Sequence, residues 1–160
     1  MVPRSLSASL VALLLGSAVG LPTVKAASSA SKVSVGDVVV QLETTTPGGH
    51  EAELTRLLRL ALSEELATVV ASGETGKRPL VVSATLTKLS TERRAERARA
   101  SASISLVLRR ADDQVLFAEL RGRASAEETS DSVASVQRAA LRGAVRGAVA
   151  RLPEAVQRAR

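Results

Sequence analysis

The sequence predicts an α+β domain: a two-layer sandwich in which a four-stranded, largely antiparallel sheet carries two helices on one face. Two observations predict it. Residues 80–89, 97–109 and 114–126 alternate apolar and polar side chains, which is the period of a strand with one buried and one wet face. Two longer runs instead repeat their apolar residues at helical spacing. The resulting order is β-α-β-β-β-α, and its simplest packing sets both helices on the one apolar face of the sheet.

The first strand is expected over 33–45, where Val35, Val38, Val39, Val40 and Leu42 precede the turn signal Pro47-Gly48-Gly49. From Glu51 the period changes. Leu54, Leu57, Leu58, Ala61, Leu62, Leu66, Val69 and Val70 form one helical stripe. Glu51 and Glu53 complement the helix dipole in the first turn, and Gly73 is the candidate C-cap. In the second strand Leu80, Val82, Ala84 and Leu86 share a face. In the third, Ala98, Ala100, Ala102, Ile104, Leu106 and Leu108 point inward, while Arg97, Arg99, Ser101, Ser103, Ser105 and Arg109 point to water. In the fourth, Leu116, Ala118, Leu120 and Ala124 are the inward set.

Parity constrains the last hairpin. Pairing Arg110 with Gln114 sets Leu106 opposite Ala118 and Ile104 opposite Leu120, with Val107–Phe117 and Ser105–Glu119 on the wet face; a one-residue slip would mix the faces. A final helix is expected over 132–158, with Val133, Val136, Ala140, Leu141, Ala144, Val145, Ala148, Val149 and Leu152 apolar and Arg138, Arg142 and Arg146 along another side. Pro153 kinks or ends its regular part. Ala139, Gly143 and Gly147 make a ridge of small residues. Each glycine there costs about 1 kcal/mol against alanine, so a close approach to the sheet or the first helix is expected, with a dimer seam as the alternative.

Composition bounds the chemistry. Hydrophobic residues are 45% of the 160-residue chain and charged residues 24%, ordinary values for one domain with a targeting segment. Phe117 is the sole aromatic residue and Ile104 the sole isoleucine, so the core must be Ala, Val and Leu, packed closely. There is no cysteine, which excludes disulfides, thiolate metal sites, a Cys nucleophile and an N-terminal lipid on cysteine.

Residues 1–26 read as a signal peptide: Arg4, an uncharged run from 6 to 21 centred on Leu10-Val11-Ala12-Leu13-Leu14-Leu15, and Val24-Lys25-Ala26 as a cleavage site before Ala27. The apolar run of about 16 residues is shorter than the roughly 20 a spanning helix needs. Residues 27–32 read as a flexible leader and 33–160 as the domain; loss of Arg4 and Lys25 lowers the net charge from +6 to +4. The expected location is periplasmic or secreted, with no permanent membrane span once the signal is cleaved.

Several look-alike motifs fail. Residues 71–78 resemble a phosphate-binding loop, but Ala71 replaces the first glycine, Arg78 replaces the magnesium-binding hydroxyl, and helix precedes strand. His50 is the single histidine, with no second His or Cys for zinc and no nucleophile signature; a His50-dependent hydrolase is the remote alternative. Ser29-Ala30-Ser31-Lys32 has acyl-enzyme spacing but sits in the leader. The pairs Asp112-Asp113 and Glu127-Glu128 fall at a turn and a strand end, where solvated charge is the ordinary role. No catalytic, metal or cofactor site is expected.

The basic residues are the remaining candidates. Arg93, Arg94, Arg97 and Arg99 crowd one hairpin, and Arg121 and Arg123 are placed to share its wet face, a possible contact for anionic lipid, polysaccharide or an acidic protein. Glu92, Glu96 and Glu119 interleave with them, as on an ordinary mixed-sign surface. Nucleic acid is disfavoured, because export removes the substrate and one phenylalanine offers almost no stacking surface.

The element order over 33–158, three alternating strands between two amphipathic helices, resembles small envelope accessory domains of Gram-negative bacteria: the LPS-assembly lipoprotein, the penicillin-binding-protein activator, and the curli-export or TolB amino-terminal types. The resemblance implies a non-catalytic periplasmic binding or assembly-accessory protein with an envelope partner. The lipoprotein members carry a cysteine that this chain lacks.

Overall fold

The computed structural model of the chain describes residues 33–42, 50–73, 78–94, 96–129 and 132–159. The signal segment, the leader with its Ser29–Lys32 spacing and the 47–49 turn lie outside the described residues. Seven elements follow in order: β1 (Val33–Val40), α1 (His50–Ala71), β2 (Leu80–Arg94), β3 (Arg97–Arg110), β4 (Leu116–Glu128), α2 (Val133–Val149) and α3 (Leu152–Arg158). The sheet order is β1-β2-β3-β4, with β1 parallel to β2 and the other pairs antiparallel. Parallel neighbours need a crossover, and α1 supplies it.

Both main helices lie on one face. α1 covers β1, α2 covers β3 and β4, and the two helices touch. The buried stripe of α1 is Leu58, Ala61, Leu62 and Leu66, and it ends as expected, with Gly73 at φ +75 and its N–H donating to the Val70 carbonyl. The α2 stripe runs from Val136 to Val149 behind an N-cap in which Ser132 accepts from the Ser135 N–H. The expected single helix over 132–158 is divided. Ala150 and Arg151 separate α2 from α3, and Pro153 occupies the first turn of α3, where its missing N–H costs nothing. Leu152 and Val156 return α3 to the core.

The core is aliphatic and small. At one end of β3 the inward residues are Ala98, Ala100 and Ala102; at the other, Ile104, Leu106 and Leu108, all 0–2% exposed. Helix α2 descends onto the small end, which the Gln137–Thr91 hydrogen bond (2.9 Å) and the Ser135–Glu128 hydrogen bond (3.0 Å) anchor. The closest approach is at Gly122 of β4, where a Cβ would overlap the Ala144 carbonyl oxygen and stand 3.0 Å from the Ala148 Cβ. The ridge of small residues on α2 makes the expected close approach to the sheet at one position only. Gly143 abuts Ala124, but Gly147 is exposed and a Cβ there would meet nothing within 4 Å.

Two strand expectations are corrected. The β3–β4 register is displaced by two residues: Leu106 faces Leu120, Leu108 faces Ala118, Ile104 faces Gly122 and Ser105 faces Arg121. The loop is longer than the three residues expected. Arg110 donates to the Val115 carbonyl, and residues 111–114 turn through Gln114 at φ 57, braced by Asp113 accepting from the Val115 N–H. A bulge then places Leu116 opposite Arg109, on the wet side, so Leu116 is 55% exposed rather than inward. Phe117 is half-buried against the core instead of pairing with Val107, whose partner is Glu119.

Because Gly122 touches helix backbone, Gly122→Ala should destabilise the domain by about 3 kcal/mol. Gly147→Ala, in open space on the same helix, should stabilise it by roughly 1 kcal/mol. Urea unfolding of the two variants checks both signs; equal effects would contradict the seating described.

Candidate functional site

The sheet face opposite the helices carries no covering layer among the described residues, and register turns its side chains into rows that cross β2, β3 and β4. From the β2–β3 hairpin inward, the rows are Glu92–Arg99–Glu127, Ser90–Ser101–Ser125, Lys88–Ser103–Arg123, Thr85–Ser105–Arg121 and Ser83–Val107–Glu119. Short hydroxyl side chains therefore run along β3 in the middle of the face, with Lys88 on the β2 side, Arg121 and Arg123 on the β4 side, and further charge at the hairpin end. Ser101 and Ser125 share a 2.8 Å hydrogen bond across the strands.

The phase of these rows depends on one irregularity. Leu86 pairs with Ile104 and Lys88 with Ser103, so Thr87 is an extra residue in β2. Upstream, odd-numbered residues of β2 face water; downstream, even-numbered ones do. The bulge carries β2 on to Arg94, five residues beyond the expected end, and swings Lys88 onto the open face. Thr87 donates to the Ser103 carbonyl at 3.1 Å. A shallow open depression of about 240 Å³ forms beside it, lined by Thr87, Ser103, Ser105, Glu119, Arg121 and Arg123 with Ile104 in its floor. That is smaller than the 300–1,000 Å³ typical of organic-ligand pockets.

The six candidate arginines do not form one cluster. Arg93 pairs with Ala98 and so belongs to the helix side of the sheet. Arg94 and Arg97 are held at the hairpin by Glu92 (3.8 Å) and Glu127 (3.4 Å), and Arg99 stands in the row between those same two glutamates. The tip is thus largely charge-compensated. Arg121 and Arg123 lie on the open face as expected, but four residues along the strand separate Arg123's row from that of Arg99, about 13 Å. Arg121 is also engaged: its Nε donates to Glu119 at 3.0 Å, and Ser105 donates to the same oxygen at 3.0 Å. Lys88 and Arg123 are different. Neither has an ion pair among the described residues, and each flanks Ser103. Lys88 escaped the sequence reading because strict alternation from Leu80 would put it inward; Leu89, out of phase with Leu86, was the available signal.

The other candidate groups are spread over the fold. His50 opens α1 on the helix layer, 79% exposed and 3.9 Å from Glu53. The phosphate-loop look-alike follows α1 and precedes β2, and its residues 74–77 lie outside the described residues. Asp112 and Asp113 accept from the backbone of their own turn. Glu127 and Glu128 point to opposite sides, toward Arg97 and toward Ser135. Arg142 and Arg146 bind Glu64 (2.7 Å) and Glu65 (3.1 Å), tying α2 to α1. Among the described residues, no group of three or more His, Cys, Asp or Glu could hold a metal ion.

No protein-family model matches the chain, and no curated protein matches it. Solved structures similar to it include a Caulobacter crescentus protein described as a lipoprotein (17% identity, 72% of this chain and 88% of that one, TM-score 0.44). A hypothetical protein from Chlamydia trachomatis (14% identity, 78% and 96%, TM-score 0.49) and a minor lipoprotein from Acinetobacter baumannii (9% identity, 78% and 92%, TM-score 0.40) are also similar. At these identities and TM-scores the likeness assigns neither family nor function.

The Arg121 hydrogen bond, then the Ser105 hydrogen bond and the Arg121 charge, hold the Glu119 carboxyl below its ordinary value of 4.5. A depressed carboxyl stabilises the fold at pH values above the ordinary one, and that stabilisation is lost as pH falls through the lowered value. Arg121→Ser should therefore raise the Glu119 titration midpoint, and its stability difference from the parent should vanish on acidification. Carboxyl-carbon NMR titration reads the first effect; an unmoved midpoint would contradict the pairing.

Proposed function

We propose that this domain is a non-catalytic binding or assembly-accessory protein of a bacterial envelope, exported to the periplasm, and that it meets its partner on the open face of the sheet. The observation that carries this reading is the run of hydroxyls Ser83, Thr85, Ser90, Ser101, Ser103, Ser105 and Ser125 across three long strands, interspersed with Lys88, Glu119, Arg121 and Arg123. Short side chains lose little rotamer freedom when covered, whereas long ones cost about 0.5–1.5 kcal/mol each to immobilise. The serine column along β3 can thus be covered by a polar partner at low entropic cost.

Other features support the location. The first 26 residues have signal-peptide anatomy, and the chain has no cysteine to lipidate. No helix among the described residues is long and apolar enough to cross a membrane. The hairpin arginines support a separate anion-binding role less well, because Glu92 and Glu127 already pair with Arg94 and Arg97 and stand on either side of Arg99 in its row.

The test is site-specific photo-crosslinking in exporting cells. A photoreactive residue at Ser101 should give a discrete adduct with an envelope component, and one at Arg138, exposed on the back of α2, should not. No adduct from Ser101, or the same adduct from both positions, would contradict the reading.

A further inference from the structure

We propose that the row Lys88–Ser103–Arg123 is a binding site for a single phosphate-type oxyanion, an assignment that rests on the open face being the binding face. The three residues are Cα partners across β2, β3 and β4. At about 4.8 Å between strands, the two cationic residues stand roughly 10 Å apart with the serine hydroxyl midway. Lys88 and Arg123 are both exposed and have no ion pair among the described residues.

The spacing suits the chemistry. An ammonium and a guanidinium, on stems of four and three methylenes, can lean inward over Ser103 and close on one tetrahedral anion with charge-assisted contacts of about 2.7–2.9 Å. The guanidinium offers a fork of two N–H donors to two phosphate oxygens, and the ammonium supplies a compact charge from the other side. Ser103 donates from below, its hydroxyl being unengaged among the described residues, whereas its carbonyl is taken by Thr87. The neighbouring row explains why the site is here. Glu119 already occupies Arg121 and Ser105, so that row holds its own internal anion, and the row at the hairpin holds two glutamates around Arg99. Of the rows on the face, the one through Ser103 has two positive charges and no negative one.

The Thr87 bulge is the device that builds it. Without the extra residue Lys88 would point into the helix layer, and the site would lose one of its two cations. The depression beside Thr87 takes in Ser103 and Arg123 of this row; its lining also includes Glu119, which Arg121 already engages.

The experiment is an NMR titration of the purified protein with inorganic phosphate at low ionic strength, repeated with phosphatidylcholine vesicles with and without phosphatidylglycerol. Saturable shifts at Lys88, Ser103 and Arg123 are expected, and Lys88→Ser with Arg123→Ser should weaken binding at least about tenfold. Arg94→Ser with Arg97→Ser should leave it unchanged, and both pairs are exposed enough to keep the fold. Binding of free phosphate alone identifies a small phosphate ligand; binding of the phosphatidylglycerol vesicles as well, lost with the same pair, identifies a headgroup. Absence of saturable shifts, or equal weakening by the hairpin pair, would overturn the site. If the Ser101 adduct still forms in that case, the open face remains the binding face and only its ligand assignment is wrong.

Discussion

The contact between Gly122 of β4 and the Ala144 carbonyl of α2 is the constraint on which the rest of the molecule depends. A chain whose core is Ala, Val, Leu and one Ile cannot fill a wide gap between layers, so its layers must come close. Gly122 removes a Cβ that would hold α2 away, Gly143 does the same against Ala124, and Ala98, Ala100 and Ala102 keep the surrounding floor low. With α2 seated there against α1 and β3, Leu141, Val145 and Val149 are buried, and the core closes without an aromatic centre. The ion pairs of Arg142 and Arg146 with α1 trim this arrangement but do not hold it. Half-exposed pairs of that kind contribute about 0.2–1 kcal/mol, against roughly 1.5–3 kcal/mol for each large aliphatic side chain taken fully out of water.

That economy leaves the second face of the sheet to other uses. Among the described residues both main helices lie on one side, and the wet residues of β2, β3 and β4 face the other. The Thr87 bulge then divides the face into two phases. Above it, alternation gives Ser83 and Thr85; below it, Lys88 and Ser90. A single inserted residue therefore links backbone irregularity to the charge distribution: it brings Lys88 beside Ser103 and Arg123 while extending the pairing out to Arg94 and its compensated hairpin.

Much of this was legible in the sequence, for definable reasons. Period two along β3 gave both of its faces correctly, since every inward position from Ala98 to Leu108 is apolar and buried. Gly73 as a C-cap and Pro153 as a helix interrupter follow from backbone chemistry alone. The β3–β4 register shows the limit of the parity argument. Parity forbids a slip of one residue but is blind to a slip of two, and the four-residue loop with Gln114 in the left-handed region is one that residue types do not announce. Bulges were the other blind spot, at Leu116 and Lys88, because a local insertion inverts every face assignment beyond it. The arginine crowd at 93–99 looked like a site because sequence proximity hides facing: Arg93 belongs to the other side, and Glu127, thirty residues from Arg97, cannot be seen as its partner without the third strand.

The central claim is that α2 closes one side of the sheet and leaves the other to be covered by a partner in place. Because the chain has no cysteine, Ser101→Cys gives a unique probe on the open face and Arg138→Cys one on the back of α2. The direct measurement is the rate of maleimide labelling of each, in the purified protein and in intact exporting cells. The account predicts that both react readily in the purified protein and that only the Ser101 position is slowed in cells. Equal rates for Ser101→Cys in the two settings, or protection at Arg138→Cys instead, would contradict it.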